Sequence, residues 1–273
     1  MNSNEISVII STYNAEQWLL KALLGYNEQT FRNFELVIAD DGSTKKTKIL
    51  IENFRKKSRY PIVHVWQDDN GFQKSQILNK AVKASTTPYI IMSDGDCIPR
   101  NTFVERHNKY KEKGYFLSGG YFMLPSNISN KINPEHISSQ VCFNLDWLKD
   151  NGLKDSMKNN KLKKNKKLSK FLNFFTPTKA TWNGHNSSGW KKDILAVNGF
   201  DERMQYGGQD RELGERLKNL GIQSKQIRYS AIVIHLDHPR AYVNDDSWKK
   251  NDAIRKVTRT SKTTTTLYGI RNE

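Results

Sequence analysis

Asp94-Gly95-Asp96, closing the apolar run Tyr89 to Met92, is the stretch whose residue types and spacing best suit chemistry. Tyr89-Ile90-Ile91-Met92 reads as a strand buried on both faces. Acids at the carboxyl end of such a strand stand where open α/β sheets bind ligands. Gly95 has no Cβ, so backbone or ligand can come close between the two acids. Carboxylates this near repel, and a hard divalent cation relieves the repulsion. Mg2+ or Mn2+ held there would in turn hold a diphosphate. An Asp-Gly turn that merely caps the strand uses the same residues, so the rest of the chain has to decide.

The elements that must position these acids follow from periodicity. Ile6 to Asn14, Phe34 to Ala39 and Pro61 to Trp66 read as strands, each running into a polar loop. Between them, Ala15 to Gln29, Lys45 to Lys57 and Ser75 to Ala84 carry apolar residues at helical spacing. Strand and helix alternate up to the Tyr89 strand, which predicts an α/β fold with a parallel sheet and helices on its faces. Asn14, Asp41, Asp69, Asp94 and Asp96 are then expected in one crevice. Farther on, Phe103 to Lys113 is expected as a helix and Phe116 to Leu124 as a strand pair or a bent strand. Leu213, Leu217 and Leu220 are expected on the buried side of a helix starting at Arg211, and Ser230 to Pro239 is a strand running into a loop.

The 273 residues suffice for one large domain or two small ones, with a substantial core. Lys and Arg number 44 against 28 Asp and Glu, giving a net charge of +16 and a pI of about 9.7. That balance implies anionic partners: nucleic acid, phosphorylated substrates or an acidic membrane surface. Cys97 and Cys142 have no metal-ligand or redox spacing and suit a reducing compartment. No signal peptide and no membrane-spanning run is read from the sequence, so a cytoplasmic protein, soluble or peripherally bound, is expected.

Ser7-Val8-Ile9-Ile10-Ser11-Thr12-Tyr13-Asn14, Asp40-Asp41-Gly42-Ser43-Thr44 and Asp94-Gly95-Asp96, in this order at strand ends, resemble glycosyltransferase family 2. The resemblance implies the GT-A fold, a Rossmann-like, mostly parallel sheet flanked by helices, and sugar transfer from a nucleotide donor with inversion. Carried onto this chain, Ser11, Tyr13 and Asp41 would contact uracil and ribose, with Asp40 the less favoured uracil partner. Asp94 would lie near the ribose and Asp96 would bind Mn2+ or Mg2+ on a UDP-sugar. Gln67 to Lys74 resembles the family's Gly-centred loop ahead of an Arg-Asn pair facing the donor. Leu78 stands at the Arg position, Asn79 follows, and Lys74 is the candidate for the missing charge on the diphosphate; a solvated lysine is the plain alternative.

Thr181 to Trp190, Asn198-Gly199-Phe200-Asp201-Glu202 and Gly207-Gly208-Gln209-Asp210 resemble the acceptor side of the family and of galactosyltransferase-like C-terminal regions. Asn186 in the first block is taken as a donor contact, and pocket shape near Trp182 to Trp190 is expected to select the sugar. Asp210, beside a Gln209 where Glu is usual, is the expected general base; a helix N-cap is its plain alternative. Glu202 and Asp201 stand next in line as the base. His235, with His238 as alternative, would complete the metal site after the last strand.

The resemblance thus divides residues 1–245 into a nucleotide-sugar-binding half, 1–120, and an acceptor-side half, 121–245. The latter carries a Lys-rich insertion at 149–175, and a basic tail follows at 246–273. Lys158, Lys161, Lys163, Lys164, Lys166, Lys167 and Lys170 run into Leu168, Phe171, Leu172 and Phe175 at i, i+3, i+4, i+7. That is how an interfacial helix on an anionic membrane reads, although a solvated loop before a short core helix fits the same residues. The tail, with Thr263 to Thr266 of low complexity, could close over the nucleotide, touch a membrane or lack order. The expected reaction is transfer of a hexosyl or N-acetylhexosaminyl group to a glycan hydroxyl in bacterial capsule or lipopolysaccharide synthesis.

Other classes fit less well. A nucleotidyltransferase would need a Gly-rich, Arg- and Lys-bearing phosphate loop near the N-terminus, and none is seen. A nucleic-acid-binding protein would explain the charge, but the basic residues lie outside the sheet motifs and no recognition motif is present, so no nucleic acid is expected. An inert nucleotide-sugar-binding module would keep Asp41 and Asp96 and lose Asp210.

Overall fold

The computed structural model describes residues 5–163, 165–238 and 245–272. Four strands open the chain: β1 Ile6–Thr12, β2 Phe34–Asp40, β3 Ile62–Trp66 and β4 Tyr89–Asp94. Helices α1 Glu16–Asn27, α2 Lys45–Arg55 and α3 Lys74–Ala84 connect them. The strands lie parallel and flush, with Thr12 opposite Asp40, Ser11 opposite Asp94, and Asp40 opposite Trp66. Their carboxyl ends therefore form one rim. The apolar runs of β1, β2 and β4 are buried on both faces because helices cover both, while β3, at the sheet edge, is only partly buried. Ile6, Val8, Ile10, Leu36, Ile38 and Ile91 point to the α1–α2 side, while Ile9, Val37, Ala39, Ile90 and Met92 pack with α3.

The next pieces are β5 Cys97–Pro99, α4 Phe103–Tyr110, β6 Tyr115–Ser118 and β7 Gly120–Met123. Where a strand pair or bent strand was expected, β6 and β7 part company at Gly119 and enter different sheets. A Cβ on Gly119 would lie 1.9 Å from Asn186 Oδ1, so only glycine allows that crossing. Short helices α5 Ser126–Lys131, α6 Pro134–Ser138 and α7 Leu145–Asp150 follow, then a 3-10 turn at Met157–Leu162 and helix α8 Lys166–Phe175. β8 Asn186–Trp190, α9 Lys191–Ala196, α10 Gln209–Asn219, β9 Gln223–Gln226, β10 Ile232–His235 and α11 Asp245–Thr260 complete the order.

The large sheet has seven strands in the order β3-β2-β1-β4-β8-β6-β9. β8, the end of the Thr181 to Trp190 block, runs antiparallel between β4 and β6. The donor-side and acceptor-side halves expected from the motifs therefore share one sheet. A smaller sheet, β5-β10-β7, sits beside it over a separate apolar cluster that includes Phe122, Ile128, Phe143 and Ile234.

The expected basic tail is instead built into the body. Glu212 and Arg216, both about 1% exposed, pair within α10 at 2.7 Å. Thr258 of α11 donates to the same Glu212 at 2.8 Å. Arg255 pairs with Glu215 at 2.6 Å, and Thr266 donates to buried Asp201 at 2.8 Å. Within α10, Leu213 and Leu217 are buried as expected, whereas Leu220, at the helix end, is 42% exposed. No helix among the described residues is long and apolar enough to cross a membrane.

Candidate active site

The rim formed by the parallel strands opens into a cavity of about 840 Å3. Ser11, Tyr13, Asp41, Lys74, Asp94 and Asp96 line it from the first half of the chain. Asp210, His235 and His238 line it from the second. The pairing of β1 with β4 places Ser11 Oγ 2.8 Å from Asp94 Oδ1, and in the bend after β1 Tyr13 donates to Asp69 at 2.8 Å. Asp41 accepts from Gln67 Nε2 at 2.6 Å and from the Gln73 N–H at 2.9 Å. Burial nevertheless pushes its carboxyl up to about 6. Asp40 is turned away: fully buried, it is held by His64 at 2.9 Å and by the Ser43 N–H at 2.9 Å.

Lys74, at the start of α3, reaches Asp94 at 2.6 Å. Burial opposes charge on Asp94, yet the Lys74 ammonium overrides it and holds the carboxyl well below the usual carboxylate range. The same ammonium lies close to Gly184 in the turn bound by Asp210. Lys74 is thus a cavity residue rather than a solvated one.

Gly95 serves the fold before any ligand. Its N–H donates to the Ser11 carbonyl at 2.8 Å, and a Cβ there would stand 2.9 Å from that oxygen. Asp96 then turns towards β10, where His238 Nε2 lies 2.6 Å and His235 Nε2 3.6 Å from its Oδ2. The two rings are nearly parallel, with centroids 5.9 Å apart. His235 Nδ1 is 2.9 Å from the Leu236 carbonyl. A carbonyl only accepts, so Nδ1 carries a proton and Nε2 is the ring nitrogen that faces Asp96. Asp96 and His235 bring ligand atoms close enough for a divalent cation, and His238 stands against the same Asp96 oxygen. Cys97 also comes within the group, which its spacing did not announce. Burial, reinforced by Asp96 and Asp94, keeps its thiol protonated, and Sγ donates to Asp96 Oδ1 at 3.4 Å.

Asp210 is the second residue of α10, whose N-cap is Gly208, so capping does not account for it. Its Oδ2 accepts from the Gly184 N–H at 2.8 Å and its Oδ1 from the Arg211 N–H at 2.8 Å. This fixes the carboxylate at the cavity wall. Gln209, in place of Glu, closes the glycine turn by accepting from the Gly207 N–H at 3.1 Å. Asp201 is bound by Arg203 and Thr266, and Glu202 by Asn79, away from the cavity.

Two expected donor contacts lie elsewhere. Asn79 is fully buried and clamps the 199–202 turn, bonding Phe200 N, Phe200 O and Glu202. Asn186, equally buried, donates to the carbonyls of Gly120 and Ala231 and accepts from His107, joining the sheets. Trp182 is likewise buried against Phe116 and Trp190 packs on Tyr89. From that block it is Asn183, Gly184 and His185 that line the cavity. Burial pushes His185 down to about 4 against the pull of Asp94 and Asp210, so its ring is neutral at pH 7. His185 and Trp248 were missed. Trp248 is delivered to the cavity by α11, whose apolar residues gave no sign of a site.

A parallel sheet edged with acids, a carboxylate–imidazole cluster beside them and an aspartate fixed across the cavity define a GT-A glycosyltransferase. The chain belongs to glycosyl transferase family 2, whose model matches residues 7–180. It is 24% identical over 253 residues to a chondroitin synthase of Escherichia coli, across 86% of this chain and 35% of that protein. To a chondroitin synthase of Pasteurella multocida it is 26% identical over 280 residues, across 92% of this chain and 26% of that protein. The chain thus spans about a third or less of these relatives' length. Among solved structures, it superposes on the mannosyltransferase PcManGT of Pyrobaculum calidifontis, in complex with GDP-Man and Mn2+. The TM-score is 0.60 at 14% identity, over 96% of this chain and 64% of that one. S. aureus TarS 1-349 with UDP-GlcNAc also gives 0.60 at 14% identity, over 94% and 69% of the two chains. These likenesses show the fold.

Proposed function

We propose that the protein is an inverting, metal-dependent glycosyltransferase that moves a sugar from a UDP-sugar to a hydroxyl of a glycan acceptor. The observation that carries this is the convergence of Asp41, Lys74, Asp94, Asp96 and Asp210 on one cavity of about 840 Å3. Chondroitin synthases, named for a polysaccharide product, are among its relatives, which supports a role in surface polysaccharide synthesis.

In this reading Ser11, Tyr13 and Asp41 bind the uridine and Asp94 the ribose, while Lys74 exchanges its bond to Asp94 for one to the diphosphate. Asp96 with His235 and His238 would hold the cation, and their mixed oxygen and nitrogen set favours Mn2+ over Mg2+. When bound, the cation neutralises charge that gathers on the departing diphosphate. Asp210 takes the proton of the acceptor hydroxyl as its oxygen bonds to the anomeric carbon. The electron pair of the breaking C–O bond leaves with the diphosphate, and water is kept out by the aromatic wall that includes Trp248. The direct test is UDP release with Mn2+ against a panel of UDP-sugars. Release confined to conditions with both metal and acceptor supports the reading, and none with any donor removes it.

Asp41 supplies a pH test. An ionised carboxylate accepts the uracil N–H, and protonation below about pH 6 removes that acceptor. Because binding favours the ionised form, affinity is fully present above pH 6 and lost as pH falls. Uridine, which lacks the diphosphate, is expected to bind about tenfold more weakly at pH 5 than at pH 7. NMR titration measures this, and a flat profile takes Asp41 off the uracil.

The same reading places the enzyme at the inner face of a membrane, on an acceptor carried there. α8 is a helix as expected, but not a core one: Phe171, Phe174 and Phe175 are 56%, 81% and 62% exposed. Lys158, Lys163, Lys167 and Lys170 of the same stretch are exposed, whereas Lys161 folds back on the Tyr121 carbonyl at 3.0 Å. Lys164 lies outside the described residues. Each exposed lysine near an anionic surface contributes roughly 1 kcal/mol. Co-sedimentation with phosphatidylglycerol vesicles is expected at low salt, to fall at high salt, and to be lost in Phe174→Ser/Phe175→Ser. Equal binding to neutral vesicles, or none, would leave α8 as a solvated helix.

A further inference from the structure

A second pocket, of about 340 Å3, opens where α8 begins, at the far end of the β5–β10 ladder from Asp96 and His235. Its walls are cationic and hydroxylic: Arg100, Arg106, Lys163, Ser169, Tyr229 and Ser230. No carboxylate lines it among the described residues. Arg100 is 7% exposed, and its buried Nε–H has no hydrogen-bond partner. The rest of its guanidinium is fixed, with one amino group 2.9 Å from the Leu162 carbonyl and the group 5.1 Å from the Phe143 ring. An unanswered donor on a buried cation is costly unless something else supplies the acceptor.

Arg106 makes the deficit larger. Its ion pair with the partly exposed Glu105 spans 3.8 Å, long for such a pair, and is worth little. Burial, with Arg106 as a like-charged neighbour, holds the Arg100 guanidinium below its ordinary range. The positive end of the α8 dipole points to the same space from Asn165 and Ser169. Asn173, on the same helix, bonds Ser230 Oγ at 2.8 Å and accepts from the Tyr229 N–H at 2.8 Å. The wall carrying Ser169 is thereby fixed to the wall carrying Tyr229.

We propose that this pocket is a phosphate site, separate from the donor cavity. Buried Arg100 provides the rigid donor, Arg106 and Lys163 the charge, and the hydroxyls of Ser169 and Ser230 the remaining hydrogen bonds. Such a phosphate can belong to a soluble molecule or to a lipid headgroup, since the exposed aromatic face of α8 starts at this rim.

The test uses the full chain in EDTA, so that phosphate cannot bind through a metal. Inorganic phosphate against chloride, at equal ionic strength, is expected to raise the thermal midpoint saturably. Arg106→Gln and Ser169→Asp are expected to weaken phosphate by roughly tenfold or more, as for loss of a charge-assisted bond, while Arg106→Lys retains most of it. Arg100 is left intact because its removal also strips packing from Phe143. A phosphate effect that survives both variants but disappears in Asp96→Ala belongs to the donor cavity and overturns the proposal. Phosphatidylglycerol vesicles separate the sources. Vesicle binding reduced by Arg106→Gln, against a phosphatidylcholine control, assigns a headgroup, and phosphate binding without that reduction assigns a soluble ligand. If neither inorganic phosphate nor these vesicles distinguish the parent from Arg106→Gln and Ser169→Asp, the pocket is not an anion site.

Discussion

Asp210→Asn is expected to bind donor as the parent does and to lose transfer by roughly 10²–10⁴-fold, the range for a positioned general base. The loss should fall on kcat and kcat/KM together, since the proton moves only in the transition state. The substitution is nearly isosteric. The amide oxygen keeps one of the two backbone N–H bonds, from Gly184 or Arg211, that now hold the carboxylate, so the change in position is small beside the change in basicity. Single-turnover measurement at saturating UDP-sugar separates chemistry from binding. Near-parental turnover would move the base to His185, the neutral cavity residue nearby, because Asp201 and Glu202 are engaged elsewhere.

Asp96→Ala is expected to abolish the Mn2+-dependent part of UDP binding. Asp96 is the carboxylate that both imidazoles approach, at 2.6 Å and 3.6 Å, so its removal takes the anionic oxygen out of the cluster. The loss should exceed the roughly 10–100-fold seen when only an outer partner of a ligand is removed. The fold should survive. The Asp96 main-chain carbonyl still accepts from the Leu236 N–H at 3.0 Å, and the side chain lies at the cavity rim. Calorimetry with UDP, with and without Mn2+, reads both terms. An unchanged metal-dependent affinity takes Asp96 out of the metal site.

The four parallel strands and their helices were legible because each strand is apolar on both faces and each ends in a polar loop. The places of Asp41, Asp94 and Asp96 on the cavity were legible for the same reason, since a sheet edge gathers whatever follows its strands, whereas Asp210, on a helix, was reached only through the family resemblance. What escaped the sequence depends on distant contacts. Asn186-Ser187-Ser188-Gly189-Trp190 has neither alternation nor bulk, and becomes a strand only because β4 and β6 supply its hydrogen bonds. Asn79 and Asn186 carry groups apt for a nucleotide, yet the backbone carbonyls that consume their amides lie 121 and 66 residues away for Phe200 and Gly120. Trp248 reaches the cavity through packing of α11 on α10, a contact set by a buried Glu212–Arg216 pair rather than by an apolar stripe. Asp40 is likewise drawn away from the cavity by a residue on another strand, His64.

The antiparallel strand lodged between β4 and β6 has a consequence for engineering. An exchange of donor specificity by splicing residues 1–120 from another enzyme would leave β4 facing a foreign partner along its whole edge. The splice would remove the register that pairs Tyr89 with Trp190 and Ser93 with Asn186. Two separate stretches of chain that meet at the cavity are thus woven into one fabric, which leaves the loops at the rim, rather than either stretch as a whole, as the parts open to exchange.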